Sequence, residues 1–453
     1  MSLHRCGLSM WLCAGLLAGW LASPAGAQDV VETVAEVAAE ATAEVAVEPA
    51  PATVIDTGNT AWVLASSGLV LLMTPGLAFF YGGLVRKKNI LSVLMQCFMA
   101  MCLVTVAWVV VGYSLAFGSD IKGLIGGTDY VMLKGVGSEA WPGYTIPHLL
   151  FMAFQLKFAI ITPALIIGAF AERIKFSAFC IFTLLWSLLV YSPVAHWVWG
   201  GGFMFKWGAL DFAGGTVVHI NAGMAALAAA LVLGKRVGAG SPPHSLPLAV
   251  LGAGMLWFGW FGFNAGSSLA ADGIAVNAFV TTHVATAVAG LTWAIIDWIF
   301  HRKPTTLGMI TGAVAGLVSI TPACGFISTT SAIWVGLGAS VICWFFVTFV
   351  KPKFGYDDSL DAFGVHGVGG IWGALATGLF CSSGVNALVT NTPGVQFIIQ
   401  LKATLITMAF SFVASYILLK LVDAVIGLRV TEHEERVGLD LTQHKESGYT
   451  VLD

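Results

Sequence analysis

Asp211-Phe212-Ala213-Gly214-Gly215-Thr216-Val217-Val218-His219-Ile220-Asn221-Ala222-Gly223 is the stretch on which the fold is decided. It lies inside an apolar run that continues to Gly234. An Asp and a His in such a run are expensive to bury in lipid, so ionisable groups there mark function by default. A second stretch, Asp361-Ala-Phe-Gly-Val-His366-Gly-Val-Gly-Gly370, has the same plan: an Asp at the start, then Gly, then Val-His, then small residues. One such His alone would read as a satisfied packing residue. Two in similar settings read as a functional pair.

The rest of the composition agrees with a membrane setting. Of 453 residues, 57% are hydrophobic, only 10% are charged, and 53 are glycine, whereas soluble domains carry about 25% charge. Glycines suit helices that pack closely in a bilayer. The net charge of −3 comes with no basic patch of the kind that binds nucleic acid. Working outward from the two histidines, apolar spans fall at 61–85, 90–117, 147–170, 176–200, 212–234, 246–268, 274–300, 306–323, 329–350, 362–383 and 397–426. Each is near the roughly 20 residues that cross a hydrocarbon core, with 306–323 the shortest case. The fold class expected is an all-α membrane protein of eleven transmembrane helices. The histidines fall in spans five and ten, which suggests two five-helix repeats plus one extra helix. Because five is odd, the second repeat enters inverted, and sites in inverted-repeat transporters lie between the repeats. Phe79-Phe-Tyr-Gly-Gly83 in span one and Trp260-Phe-Gly-Phe-Asn-Ala-Gly266 in span six keep step with that pairing.

Residues 1–27 read as a signal peptide, with Arg5 as the basic flank, Leu8 to Leu21 as the apolar core and Ala25-Gly-Ala27 as the cleavage site. An uncleaved twelfth span would need a longer core. Residues 28–58 form an acidic Ala/Glu-rich periplasmic linker, since Glu32, Glu36, Glu40, Glu44 and Glu48 would repel along one helix face. Basic residues set the orientation. With the mature N-terminus periplasmic, the cytoplasmic connections hold Arg86-Lys87-Lys88, Arg173, Lys175, Lys235-Arg236, Arg302-Lys303, Lys351 and Lys353, while the outer ones hold Lys122, Lys134 and Lys206. The eleven-helix membrane domain is then 59–427, and 428–453 is a cytoplasmic tail beneath a multi-pass inner (plasma) membrane protein. The cysteines show no metal-ligand spacing and read as packing residues. No cofactor is expected.

The residues that follow closely resemble the ammonium transporter (Amt/Rh) family, in its bacterial Amt type, from about Asn59 to Tyr449. Asp211 through His219 is similar to the family signature. So are Phe261-Gly-Phe-Asn-Ala-Gly-Ser267, Thr321-Pro-Ala-Cys-Gly325, Phe363-Gly-Val-His-Gly367, Ala171-Glu-Arg173 and the tail segments Gly427-Leu-Arg-Val430 and Gly438-Leu-Asp440. The resemblance implies a homotrimer with one pore per subunit and a trimeric PII-type signalling protein docking on the cytoplasmic face. It also implies an outer substrate-recruitment site at Phe154, Trp199 and Ser267 with Asp211 nearby, a gate at Phe158 and Phe263, and twin pore histidines at His219 and His366. Two positions depart from it. Lys157 puts a charge beside Phe158, either at a subunit interface or snorkelling outward. Lys445 stands where the family usually has Gly.

The same residues carry a chemistry of their own. Aromatic faces attract a cation by about 0.5–2 kcal/mol each. Trp199 fits that role or that of an interfacial anchor, and the Ser267 hydroxyl can accept from ammonium. Asp211 opens span five as a helix cap and adds negative charge at the outer mouth. A neutral imidazole can donate at one nitrogen and accept at the other. Ammonium can shed its proton and cross an apolar tube as ammonia; potassium cannot. The expected function is an ammonium transporter, with an ammonium sensor or a neutral-gas (ammonia) channel as alternatives. The chain carries no Gly-x-Ser-x-Gly elbow or His-Glu-x-x-His motif, so an enzyme is not expected.

Overall fold

A computed structural model describes residues 54–238 and 240–449. The signal peptide and all but the last five residues of the linker lie outside the described residues. The chain folds into long apolar helices in close sequence: α1 (Thr57–Leu84), α2 (Lys87–Phe117), α3 (His148–Phe170), α4 (Phe176–Lys206, broken at Gly200–Gly202), α5 (Gly215–Leu233), α6 (Leu246–Ser268), α7 (Gly273–His301), α8 (Thr306–Ile320), α9 (Thr329–Phe354), α10 (Phe363–Phe380) and α11 (Pro393–Ile426). Among the described residues, ten are long and apolar enough to cross a membrane. The short one is α8, the span whose sequence is also the shortest of the eleven. Polar caps begin several of them: Asp56 accepts from Asn59 N at α1, Asp272 from Ala275 N at α7, Thr305 from Gly308 N at α8 and Ser328 from Ser331 N at α9. Each cap satisfies a backbone donor that the first helical turn leaves free. A small antiparallel hairpin, β1 (Asp120–Ile121) with β2 (Ile125–Gly126), sits in the connection between α2 and α3.

The repeat is visible in the packing. α1 rests on α2 and α3 as α6 rests on α7 and α8; α3 meets α5 as α8 meets α10; α4 packs on α2 as α9 packs on α7. α11 stands outside this scheme and braces both α5 and α10. The two halves join most closely along α1 and α6, where glycines alternate as contacts. A methyl group added at Gly83 would overlap the backbone of Ser245 and Ala249, and one at Gly252 would overlap Phe80. Small residues let membrane helices approach this closely where no hydrophobic driving force separates helix from lipid.

α5 and α10 both begin with a wide π-helical turn, Gly215–Ile220 and Phe363–Gly367, and these turns carry His219 and His366. The widening shows in the bonding: His219 N reaches Gly214 O at 3.0 Å, five residues back. Such turns interrupt the regular ladder and recur at functional sites. Just beyond them the helices touch, and a methyl at Gly223 would overlap the Gly367 backbone.

The tail is docked rather than free-standing. Lys175 N donates to Leu428 O (2.8 Å) and Val430 N to Arg173 O (3.1 Å). Two short helices follow, α12 (Glu432–Val437), opened by a Thr431/Glu434 capping box, and α13 (Leu439–His444). Buried Glu435 accepts from Val237 N at 2.5 Å and pairs with Arg429 at 2.8 Å, and Asp440 accepts from Ser92 N at 2.8 Å. The α1–α2 connection is tied in turn to Glu172, which accepts from Arg86 Nε (3.0 Å) and Asn89 Nδ2 (2.9 Å) and pairs with Arg236 (3.1 Å). Burial works to raise the Glu172 carboxyl, but Arg86 and Arg236 together hold it below the ordinary carboxylate range. Lys445 ends α13 in the left-handed region at φ 58°. That explains why glycine suits the position: an L side chain there costs roughly 1–2 kcal/mol.

Candidate functional site

Two cavities lie on either side of a narrow strait within the bundle. The first, a vestibule of about 390 Å³, is lined by Phe154, Gln155, Phe158, Trp199, Asp211 and Ser267 among others. The residues expected at a recruitment site therefore do converge on one wall. The Trp199 indole donates to Asp211 O at 2.9 Å. That bond turns its ring toward the vestibule, where it meets Phe158 edge-on at 5.9 Å between centroids. The bond anchors the indole within the protein. Ser267 donates its hydroxyl proton to Phe263 O at 2.7 Å, which leaves its oxygen lone pairs as acceptors.

Asp211 does its bonding to backbone. Oδ1 accepts from Gly214 N (2.9 Å) and Gly215 N (2.6 Å), and Oδ2 from Thr216 N (2.8 Å) and Val217 N (3.1 Å). One buried carboxylate thus satisfies four donors at the start of α5. Its counterpart in the second repeat is Asp358, not the Asp361 that the sequence pairing selects. Asp358 accepts from Ala362 N (3.1 Å) and Phe363 N (2.7 Å) at the start of α10. It stands eight residues before His366, as Asp211 stands eight before His219. Burial pushes the Asp358 carboxyl up to about 6, against the opposing pull of Lys351. Asp361 instead takes a left-handed backbone (φ 59°) and pairs with Lys351 at 2.6 Å.

Phe158 and Phe263 close the vestibule floor, their buried rings tilted by 41° with centroids 4.4 Å apart. Below them is a void of about 10 Å³, lined by His219 and His366 and otherwise by Met73, Leu77, Leu256, Trp260 and similar apolar groups. That is about the room one water-sized molecule needs. The histidine rings face each other nearly parallel, 13° apart with centroids at 5.4 Å. His219 is also stacked on Trp260 at 5.4 Å. His219 is 1% exposed and His366 3%. No hydrogen bond joins the pair: both nitrogens of His219 and Nδ1 of His366 are buried without a partner among the described residues. Buried polar groups are almost always bonded, so three orphaned ring nitrogens around one small void are unusual. His366 also reaches the second cavity, of about 780 Å³, on the side of the docked tail, where Tyr81, Trp293, Asp297, Lys351 and Asp361 form part of the wall.

Lys157 is half-buried and makes no hydrogen bond or ion pair among the described residues. Among those residues no cluster of His, Cys, Asp and Glu is arranged to hold a metal ion. Sequence reasoning missed three contributors to the site. Asp358 could have been found from the shared eight-residue spacing. Trp260 entered only as a repeat marker. Gln155 gave no signal beyond being polar within an apolar span.

A bundle of inverted repeats with an apolar strait between two open cavities defines a membrane channel or transporter for a very small solute. The chain belongs to the Ammonium Transporter Family, whose profile matches residues 61–449. It is 50% identical over 400 residues to an ammonium transporter of Bacillus subtilis, covering 86% of this chain and 98% of that protein. It is 48% identical to ammonium transporter Amt1 of Archaeoglobus fulgidus, covering 87% and 99%. Among solved structures, Mep2 of Candida albicans aligns with a TM-score of 0.79 at 36% identity, over 84% of this chain and 88% of that one. A protein described as Sensor Amt Protein aligns with a TM-score of 0.80 at 29% identity, over 85% and 98%.

Proposed function

We propose that the chain recruits ammonium in the vestibule, that below the phenylalanine gate the ammonium hands a proton to the free imidazole nitrogen of His219, and that ammonia passes His219 and His366 into the opposite cavity while the proton is handed on through His366. The observation that carries this reading is the set of orphaned imidazole nitrogens in an otherwise apolar strait. A passing ammonia can hydrogen-bond to them, and they can relay a proton. An ion that must remain charged finds no carbonyl cage there. Phe154, Phe158 and Trp199 supply aromatic faces for the cation, Ser267 supplies an acceptor, and Asp211 supplies charge without direct contact, its oxygens being occupied by backbone. The vestibule then faces the periplasm and the docked tail the cytoplasm, in keeping with the basic connections. The decisive measurement is the current and internal pH change on an ammonium pulse in liposomes holding the wild-type protein. A potassium pulse of equal size should give neither. Equal responses to both ions would sink the mechanism. A sensing role is the second reading, favoured by the likeness to Sensor Amt Protein; rapid ammonium-driven flux in the liposomes would displace it.

Trp199→Leu tests the recruitment wall. Leucine fills space but lacks the ring quadrupole, so the half-saturating ammonium concentration is expected to rise by about three- to thirty-fold, the equivalent of one cation–π contact. Melting temperature should fall little, since the residue is half-buried. An unchanged concentration dependence would leave Trp199 as a packing residue.

The family resemblance further supports a homotrimer and control by a PII-type protein at the tail face. The tail bonds to the first turns of α2 and to the connections α3–α4 and α5–α6 of its own chain. Deleting the residues after Arg429 is therefore expected to lower flux several-fold, to weaken PII capture, and to leave the trimer intact by size-exclusion chromatography. Full flux with unaltered PII affinity would make the tail dispensable.

A further inference from the structure

Gln155 follows Phe154 in α3 and precedes Phe158 by three residues, which puts it on the same helical face as the gate ring. It is 8% exposed and lines the vestibule. Its Oε1 is buried with no hydrogen-bond partner, and neither end of its amide bonds to any described residue. Every other polar contact named on that wall is accounted for. Trp199 Nε1 is committed to Asp211 O, the Asp211 oxygens to four backbone donors, and the Ser267 proton to Phe263 O. A buried carbonyl oxygen with nothing to accept costs free energy unless a donor completes it. The two ends of an amide exchange places by a half-turn of the terminal torsion, so its oxygen can face the cavity when a donor arrives.

We propose that Gln155 is a specificity-determining acceptor of the vestibule, receiving an N–H from ammonium or a primary alkylammonium while the aromatic faces hold the charge. The assignment rests on the ammonium reading above. Aromatic rings attract any monovalent cation, and an amide oxygen adds a requirement for a donor proton. It thereby separates ammonium, with four N–H groups, from tetramethylammonium, with none.

Gln155→Met and Gln155→Glu decide the matter in the full-length protein in liposomes, with ammonium as transported probe and tetramethylammonium as competitor. Methionine keeps length and bulk but loses the acceptor. It should raise the ammonium KM about ten-fold, leave the maximal rate within about two-fold, and leave block by tetramethylammonium where it was. Glutamate keeps an acceptor and adds a negative charge, and should lower the KM below the wild-type value. An ammonium KM for Gln155→Met within about two-fold of wild type overturns the proposal, as does an equal shift for tetramethylammonium, which would reduce Gln155 to a shape effect. If the methionine variant yields no folded protein, Gln155→Glu decides alone: a lowered KM supports the acceptor, and an unchanged or raised KM overturns it. Wild-type liposomes without ammonium-driven flux would instead defeat the transport reading, before either variant is compared.

Discussion

Leucine in place of either His219 or His366 is expected to cut ammonium-driven current by about ten- to hundred-fold, the worth of one or two hydrogen bonds to a polar species crossing an apolar strait. The rings sit 5.4 Å apart over a void of about 10 Å³, so a molecule in transit has no second wall of acceptors to use. Leucine keeps much of the ring's bulk against Trp260 and Phe263. Three of the four ring nitrogens bond nothing among the described residues, so removing them orphans no partner. Assembly and melting temperature should therefore remain close to wild type, which separates this outcome from misfolding. Wild-type current and wild-type rejection of potassium in both variants would remove the histidines from the mechanism.

The second large effect concerns folding. Asp211→Ala strands the N–H groups of Gly214, Gly215, Thr216 and Val217 at once. Each buried unsatisfied donor costs about 1–3 kcal/mol, so the total is of the order of the whole stability of a typical domain. Asp211→Ala is expected to yield little folded protein. Asp358→Ala strands only Ala362 N and Phe363 N and should melt lower than wild type yet still assemble. Thermal unfolding followed by tryptophan fluorescence in detergent gives the ranking. A well-folded Asp211→Ala protein whose sole defect is a raised KM would mean that the carboxylate serves substrate rather than structure.

Much of this was legible in the letters because membrane burial is so unforgiving. A His in an apolar run is conspicuous, so His219 and His366 stood out without any geometry, and eleven apolar runs gave the helix count. The aromatic gate and vestibule residues came through resemblance to relatives; in a chain with 29 phenylalanines, no periodicity singles out Phe158 or Phe263. The second repeat's cap was misread because Asp361-Ala-Phe-Gly-Val-His366 looks like the first motif with residues removed. Both repeats keep eight residues between the capping carboxylate and the histidine, so the spacing rather than the letters nearest the histidine carries the register. Gln155 could not be recognised, since a lone amide in a span packs against a neighbouring backbone as readily as it faces a cavity. The cavities themselves are assembled from many helices and have no local signature. The tail was legible as polar and charged, but its docking depends on pairings such as Glu435 with Val237, nearly two hundred residues apart.

The spaces along the proposed route differ greatly in volume, about 390 Å³ and 780 Å³ on either side of about 10 Å³. Passages joined in series behave as resistors in series, and the narrowest element governs the flux. On that route nearly all the resistance, and with it nearly all the drop in chemical potential, would fall across the smallest space. Widening or recharging the 780 Å³ cavity should leave the conductance almost unmoved, because it adds in series to a term already negligible. The helices that carry the two histidines touch through Gly223 and Gly367, so the spacing of their backbones is fixed by direct contact, while the narrow void between them is walled by side chains.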